Sequence, residues 1–263
     1  MCGRYATTVE PRLLAVELDA IDETDPAEEL LPEEAGRNYN VAPTTKVLTV
    51  VARHDRGHPD DDPKLRVRRM RWGLVPHWTK PAAPGVPAKG KPLFNARADK
   101  AATTPAFRDA FAYKRCLVPM DGWYEWLTEP GPHGKPTKTP FFMTPADGSR
   151  IYMAGLWSAW RDPAVADSTL LSCTVLTTDA VGELTHIHDR MPLIMPERDW
   201  ASWLDPDRPP PATLLERPGP EVVAGLELRR VSDRVNSVKN NGSELVAAVD
   251  HAHSEVGEQI RLL

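Results

Sequence analysis

Cysteine is scarce: the 263 residues hold three, at positions 2, 116 and 173. No two form a C-x-x-C pair, so neither a disulfide framework nor a cysteine-built zinc site is expected, and a reducing compartment fits. Long hydrophobic runs are missing too. Nothing approaches the roughly 18 consecutive apolar residues of a membrane-spanning helix, and Glu10, Arg12 and Glu17 flank or interrupt the apolar stretch Leu13 to Leu18, leaving no signal-peptide core. A cytoplasmic protein without membrane contact is expected. With 41% hydrophobic and 26% charged residues, collagen-like and disordered classes are excluded. A chain of this length buries roughly three quarters of its unfolded surface.

Charge is unevenly placed. The formal net charge is -5, yet residues 10 to 34 carry ten acids against one base, Arg12, while residues 64 to 100 carry ten bases against one acid, Asp99. A basic face on an acidic protein remains compatible with a polyanionic partner. Charge runs also serve simply to keep a surface solvated, and charge alone does not separate the two.

Apolar alternation and β-branched runs predict strands at Lys46 to Arg53, Leu65 to Trp72, Arg115 to Val118, Gly122 to Trp126, Ile151 to Trp157, Thr169 to Thr177 and Leu226 to Ser232. In the second of these the apolar phase shifts from Leu65 and Val67 to Met70 and Trp72, predicting a bulge near Arg68 and Arg69. Helical segments are predicted at Pro11 to Ala20, Pro105 to Tyr113, an Asp179-capped turn through Ile187, Pro196 to Leu204 and Ser243 to Val249, too few and too irregular for βαβ repetition. The pattern reads as α+β with antiparallel sheets. Of the twenty-seven prolines, fourteen cluster at Lys80 to Pro92, Glu129 to Pro140 and Asp205 to Pro220; these read as surface loops, the first two mobile. Strand signals continue on both sides of each loop, so one domain spanning residues 1–263 is expected, without repeats.

Several residues carry candidate chemistry. Cys2 follows Met1, whose removal would leave a 1,2-aminothiol: an amine of ordinary pKa about 8 beside a thiol of about 8.5. An aldehyde would condense with the amine, and the adjacent thiol would close a five-membered thiazolidine intramolecularly. Position alone also allows an ordinary terminal cysteine. Glu125, in Asp121-Gly122-Trp123-Tyr124-Glu125-Trp126, is either an exposed strand carboxylate or an acid desolvated by aromatics, with a raised pKa useful for proton transfer. His186 and His188 have a metal-pair spacing without a further ligand set, so no metal and no cofactor are expected. Asn95-Ala96-Arg97 offers an amide and a bidentate phosphate donor. Trp72 and Trp78 sit among the bases, where an aromatic is either a base-stacking platform or core. Cys116 and Cys173 lie in apolar strands and read as buried and inert.

Six motifs in order, Met1-Cys2-Gly3-Arg4-Tyr5, Tyr39-Asn40-Val41-Ala42-Pro43, Arg71-Trp72-Gly73-Leu74-Val75-Pro76, Asn95-Ala96-Arg97, Arg115-Cys116-Leu117-Val118-Pro119 with Gly122-Trp123-Tyr124-Glu125-Trp126, and His188-Asp189-Arg190-Met191-Pro192, make the chain resemble the SRAP family. These SOS-response-associated peptidase-like proteins shield abasic sites in DNA. The resemblance runs from Cys2 to about Val249. It implies a β-rich, barrel-like domain with peripheral helices and a basic cleft for single-stranded DNA, including single-strand/duplex junctions. It also implies a monomer, removal of its own Met1, and an abasic-site aldehyde held on Cys2 as a thiazolidine crosslink.

By position, the resemblance implies Cys2 as nucleophile, Asn95 positioning it and the sugar, Glu125 handling protons at the amine, and His188 assisting ring opening and Schiff-base formation. Arg4, Arg97 and Arg190 would hold phosphates, Pro43 and Trp72 would pack on bases or sugar, and Trp126 and Thr177 would add DNA contacts. No metal or cofactor is implied. Met120 and Pro105 depart from residues the family often carries, and the Lys80 to Pro92 loop is long. Two other classes stay open: an N-terminal-cysteine hydrolase pairing Cys2 with His188, which turns over without a persistent adduct, and a non-covalent single-strand binding module.

Overall fold

The computed structural model describes residues 2–24, 37–55, 57–131, 134–166 and 168–249; Met1 and residues 25–34 of the acidic run lie outside these. Fifteen strands follow in chain order: β1 (Tyr5–Thr7), β2 (Ile21–Asp22), β3 (Asn38–Val41), β4 (Lys46–Arg53), β5 (Lys64–Trp72), β6 (Pro81–Ala83), β7 (Val86–Pro87), β8 (Asn95–Arg97), β9 (Arg115–Met120), β10 (Gly122–Glu129), β11 (Thr137–Pro145), β12 (Ile151–Arg161), β13 (Thr169–Asp179), β14 (Arg190–Pro192) and β15 (Leu226–Arg230). Every strand expected from the sequence is present. The fold is α+β and mostly strand, as expected.

One sheet runs β15-β11-β10-β1-β3. The second closes on itself: β13, β12, β9, β4 and β5 pair in turn by antiparallel ladders, and β5 returns to β13 by a parallel pairing of Arg71 with Ser172 and Trp72 with Cys173. This five-stranded barrel has no free edge along its seam. One face of its strands shares a core with the other sheet, through Tyr5, Val41, Trp123 and Met143 packed with Val47, Met70, Trp72, Val118 and Cys173. The opposite face, with Val50, Val67, Leu117 and Leu156, is covered by Leu14, Phe107, Phe111 and Trp203 from helical segments. That double covering explains why β9 is buried at every residue. No helix among the described residues is long and apolar enough to cross a membrane.

Four local expectations change. The β4–β5 ladder pairs one to one from Lys46–Arg71 to Arg53–Lys64, with no bulge near Arg68. The phase shift has another cause: Leu65 and Val67 pack into the helix-covered core, whereas Met70 and Trp72 pack into the core between the sheets. The Glu129 to Pro140 loop is shorter than its prolines suggested, because β11 starts at Thr137. Its Pro140 and Pro145 lie at the ends of the stretch paired with β15, where a missing N–H disrupts least. The Lys80 to Pro92 loop contains the hairpin of β6 and β7, tied down where Gly85 N–H donates to Asp162 Oδ2 at 2.8 Å. Asp179 does not cap the following turn, which Val181 precedes in extended geometry with no side-chain cap, and Asp179 instead ends β13 paired with Arg190.

Gly155 lies where β12 passes between β9 and β13. A Cβ there would meet Cys116 Sγ at 2.8 Å and Thr174 O at 2.9 Å. Gly155→Ala is therefore expected to lower stability by about 1–3 kcal/mol through overpacking. Equilibrium urea unfolding checks this, and an unchanged midpoint would show that the barrel wall yields at no cost.

Candidate active site

Pairing of β1 with β10, Tyr5 with Trp123 and Ala6 with Gly122, runs β10 past the residues ahead of β1. Tyr124 N–H continues it by donating to Arg4 O at 2.9 Å. Alternation puts Glu125 on the face of Trp123, whose core includes Cys2. From the barrel, β8 pairs with β13, Val175 opposite Asn95. Asn95 Nδ2 then donates to Cys2 O at 2.6 Å. His188 follows the 3₁₀ turn Gly182–His186, its N–H bonded to Leu184 O at 3.0 Å. The Glu125 carboxylate acts on the Cys2 thiol, and Asp189, next to His188, acts on Glu125, so the structure brings these expected residues together near Cys2.

Cys2 is 0% exposed. Burial and then the Glu125 carboxylate push its thiol well above the ordinary range, outweighing the amino terminus and a backbone bond at Arg4. Glu125, 3% exposed, is the desolvated acid rather than the exposed strand carboxylate. Burial raises it to about 7, the amino terminus opposing. His188 is half-buried, and burial first, then the amino terminus, lowers its pKa against the pull of Asp189. Its Nδ1 lies 2.9 Å from Arg190 N–H and 2.8 Å from Asp189 Oδ1. The first neighbour wants a lone pair and the second a proton. With the pKa lowered, the neutral ring accepts from Arg190 N–H, and the proton sits on Nε2.

The residues expected to contact DNA divide. Arg97 is exposed and held by Asp99 through bonds of 2.9 and 3.1 Å. Arg4 donates from Nη1 to Asn40 Oδ1 at 2.6 Å and to Val235 O at 2.7 Å, with its guanidinium 6.0 Å over Trp126. Trp126 is half-buried, and Pro43 borders a cleft of about 750 Å³ that Trp72, Trp78, Lys89, Lys91 and Phe94 also line. Three of these side chains are buried. Trp72 is 1% exposed, packed edge-on against Tyr5 and Phe94 with its indole N–H on Phe94 O, so it supports the cleft from the core. Trp78, 58% exposed, offers the face that Trp72 does not. Thr177 is buried, and Arg190 is bonded to Thr177 O at 2.6 Å and to Asp179, so both face only the pocket that they line with Arg97.

The basic run is also less free than its charge suggests. Arg66 and Arg68 both pair with Glu23 of the acidic run, whose neighbouring β2 lies parallel to β5. Among the described residues no Asp or Glu lines the 750 Å³ cleft, which Arg71, Lys89 and Lys91 make basic. A smaller pocket of about 400 Å³ gathers Arg97, Arg190 and Arg217 with Asp99, Asp179 and Glu216. Arg217, which donates to Ala180 O at 2.7 Å, had no sequence signal, being one of two arginines in a proline-rich loop. Cys116 and Cys173 are buried with raised pKa values, as expected of inert thiols. Among the described residues no group of three or more His, Cys, Asp or Glu is placed to hold a metal ion.

A carboxyl raised to about 7 in the fold and near 4.3 when unfolded keeps its proton longer in the native state, so its contribution to stability declines as pH rises between those values. Wild type is expected to lose roughly 3 kcal/mol from this group between about pH 4.5 and 7.5, a loss absent in Glu125→Gln. Urea unfolding of both at the two pH values measures it. Parallel pH dependence in the two proteins would mean that Glu125 is not held as a buried acid.

The sequence profile described as "SOS response associated peptidase (SRAP)" matches residues 1–238. The chain is 34% identical over 248 residues to the abasic site processing protein YoqW of Bacillus subtilis, covering 94% of this chain and 99% of that one. It is 32% identical over 252 residues to the abasic site processing protein YedK of Escherichia coli, covering 95% and 100%. Among solved structures, a protein from Bacteroides thetaiotaomicron superposes with a TM-score of 0.71 at 21% identity, covering 94% of this chain and all of that one. A phage-related protein of Bordetella bronchiseptica gives 0.59 at 28% identity, covering 88% and 94%. The strands, the residues gathered around Cys2 and the profile match agree: the chain belongs to the SOS response associated peptidase (SRAP) family.

Proposed function

We propose that this protein traps abasic sites in single-stranded DNA on Cys2, as a covalent thiazolidine. The observation that carries the reading is the convergence of Asn95, Glu125 and His188 on the first residues of the chain, with Asn95 bonded to Cys2 O. Relatives named as abasic site processing proteins support the substrate.

Hydrolysis of the Met1–Cys2 peptide bond, consuming one water, frees the Cys2 amine. The abasic sugar opens to its aldehyde, with His188 Nε2 moving protons between the C1′ hydroxyl and the ring oxygen. The amine nitrogen attacks C1′, giving a carbinolamine that loses water to become an imine. Cys2 Sγ then adds to the imine carbon, and its proton passes to nitrogen, so adduct formation releases one water. Because burial keeps the thiol protonated, the amine acts first, and the thiol closes the ring that makes the bond persistent. A thiol held protonated is a poor start for a cysteine hydrolase. Glu125, at about 7, accepts and returns protons at the amine near neutral pH.

Phosphates of the strand would lie on Arg4 and Arg97, with Arg190 setting the His188 turn from behind. Bases beside the lesion would pack on Pro43 and Trp78 in the acid-free cleft.

Mixing the protein with an oligonucleotide bearing one abasic site should give a species that survives denaturation, with the summed mass less one water. Blocking the amine with an N-terminal tag should abolish it although the thiol remains; a thiazolidine on tagged protein would overturn the amine-first chemistry.

Glu125→Gln and His188→Ala should each slow adduct formation roughly 10- to 10⁴-fold while affinity for an unreactive abasic analogue is kept. The wild-type single-turnover rate should rise with pH to a plateau above about 7, as Glu125 loses its proton, and Glu125→Gln should lack that rise. If affinity collapses together with rate, the residue holds DNA and its proton role is wrong.

A further inference from the structure

Asn40 belongs to a motif from which the chemistry above uses only Pro43. It sits on β3, buried, and ties two things together. Its Oδ1 accepts from Arg4 Nη1, while its Nδ2 donates to Ser237 O and Asn240 O, each at 2.9 Å. Asn240 N–H closes a turn on Ser237 O at 3.1 Å. The flanks are fixed as well: Trp126 Nε1 donates to Asn236 Oδ1 and Tyr39 N–H to Asn241 Oδ1, both at 2.8 Å. All these bonds point inward and leave the two central residues at the tip. Val238 is 58% exposed, and Lys239 is exposed with no carboxylate partner among the described residues.

Folding alone explains a pinned turn, but it gives no reason for an exposed valine beside an unpaired lysine. An apolar patch next to a cation matches one nucleotide unit, sugar or base next to phosphate. Arg4, fixed by the same Asn40 and bonded to Val235 O just ahead of the turn, is only partly buried, which places a second cation beside it. We infer that the Ser237–Asn240 turn is a further contact for the bound DNA strand, Lys239 on a phosphate and Val238 against the adjoining sugar or base, and that Asn40 is the positioning residue setting this turn and Arg4 as one unit. The inference takes its ligand from the proposed function.

The test measures affinity for single-stranded oligonucleotides, undamaged and with an unreactive abasic analogue, across a series of salt concentrations. Each phosphate contact on a single strand contributes a slope of about 0.7 in log affinity against log salt. Lys239→Ala should make the slope shallower by about 0.7 and weaken binding about 5-fold near 0.1 M salt, while Lys239→Arg keeps both. Asn40→Ala should remove about 1.4 from the slope, the Lys239 and Arg4 contacts together, and adding Lys239→Ala to it should change nothing further. Lys239 is exposed at the tip of the turn, so its removal reports on binding even where Asn40→Ala impairs folding. An unchanged slope and affinity in Lys239→Ala would overturn the inference. Adduct formation by the unmodified protein is scored separately on a denaturing gel. If none forms, the Cys2 reading fails, and the slope on the undamaged strand still decides the turn.

Discussion

Strand β13 is the member on which the arrangement rests, because its outer edge is shared by two parallel partners in succession. β5 pairs with it at Ser172 and Cys173 and closes the barrel. The chain then leaves β13 at Gly73, whose φ of +126 suits glycine and whose N–H donates to Cys173 O at 2.8 Å. The vacated edge is taken by β8 at Val175, Leu176 and Thr177. The place of Asn95 is thus set by where β5 stops. On the other side β14 pairs with Thr177, Thr178 and Asp179, fixing Arg190 and the turn that holds His188.

Desolvation is the common cause of the site's proton chemistry. Cys2 and Glu125 share the region where the two sheets meet, and burial holds a proton on both. Each charge would also raise the other's pKa, so both groups do not ionise together at neutral pH. On the proposed reading this coupling sets the order of events. A carboxyl titrating near 7 serves the amine first, and the thiol reacts once an electrophilic carbon lies beside it.

Much of this was legible in the residues. Lys46–Arg53 matched its expected limits because β-branched residues fill it, and the strand at Gly122 was recognisable from its aromatics. β11 was obscured by Pro140, since the sequence does not show that β15 pairing ends there. The bulge expected in β5 failed for a related reason: alternation reports burial, and a strand covered on both faces changes phase without changing geometry. In the site, Cys2, Asn95, Glu125 and His188 were found through motifs. Trp72 and Trp78 were indistinguishable by composition, because only the fold decides which of two neighbouring indoles faces solvent. The sequence also gives no sign that Asp179, eleven residues before Arg190, engages its guanidinium across a strand pairing.

The union of Glu23 with Arg66 and Arg68 has a consequence for how a partner is found. Part of the positive field of the basic segment is cancelled within the molecule, and the protein as a whole carries -5. Beyond a Debye length of about 8 Å at physiological ionic strength, a nucleic acid meets no cationic beacon. Attraction begins only at close range, where Lys89 and Lys91 stand without acids beside them. On the proposed reading, diffusional search is then unsteered and visits to intact strands are brief. On that reading, selectivity comes from residence: a strand without an aldehyde departs, and one that carries it stays.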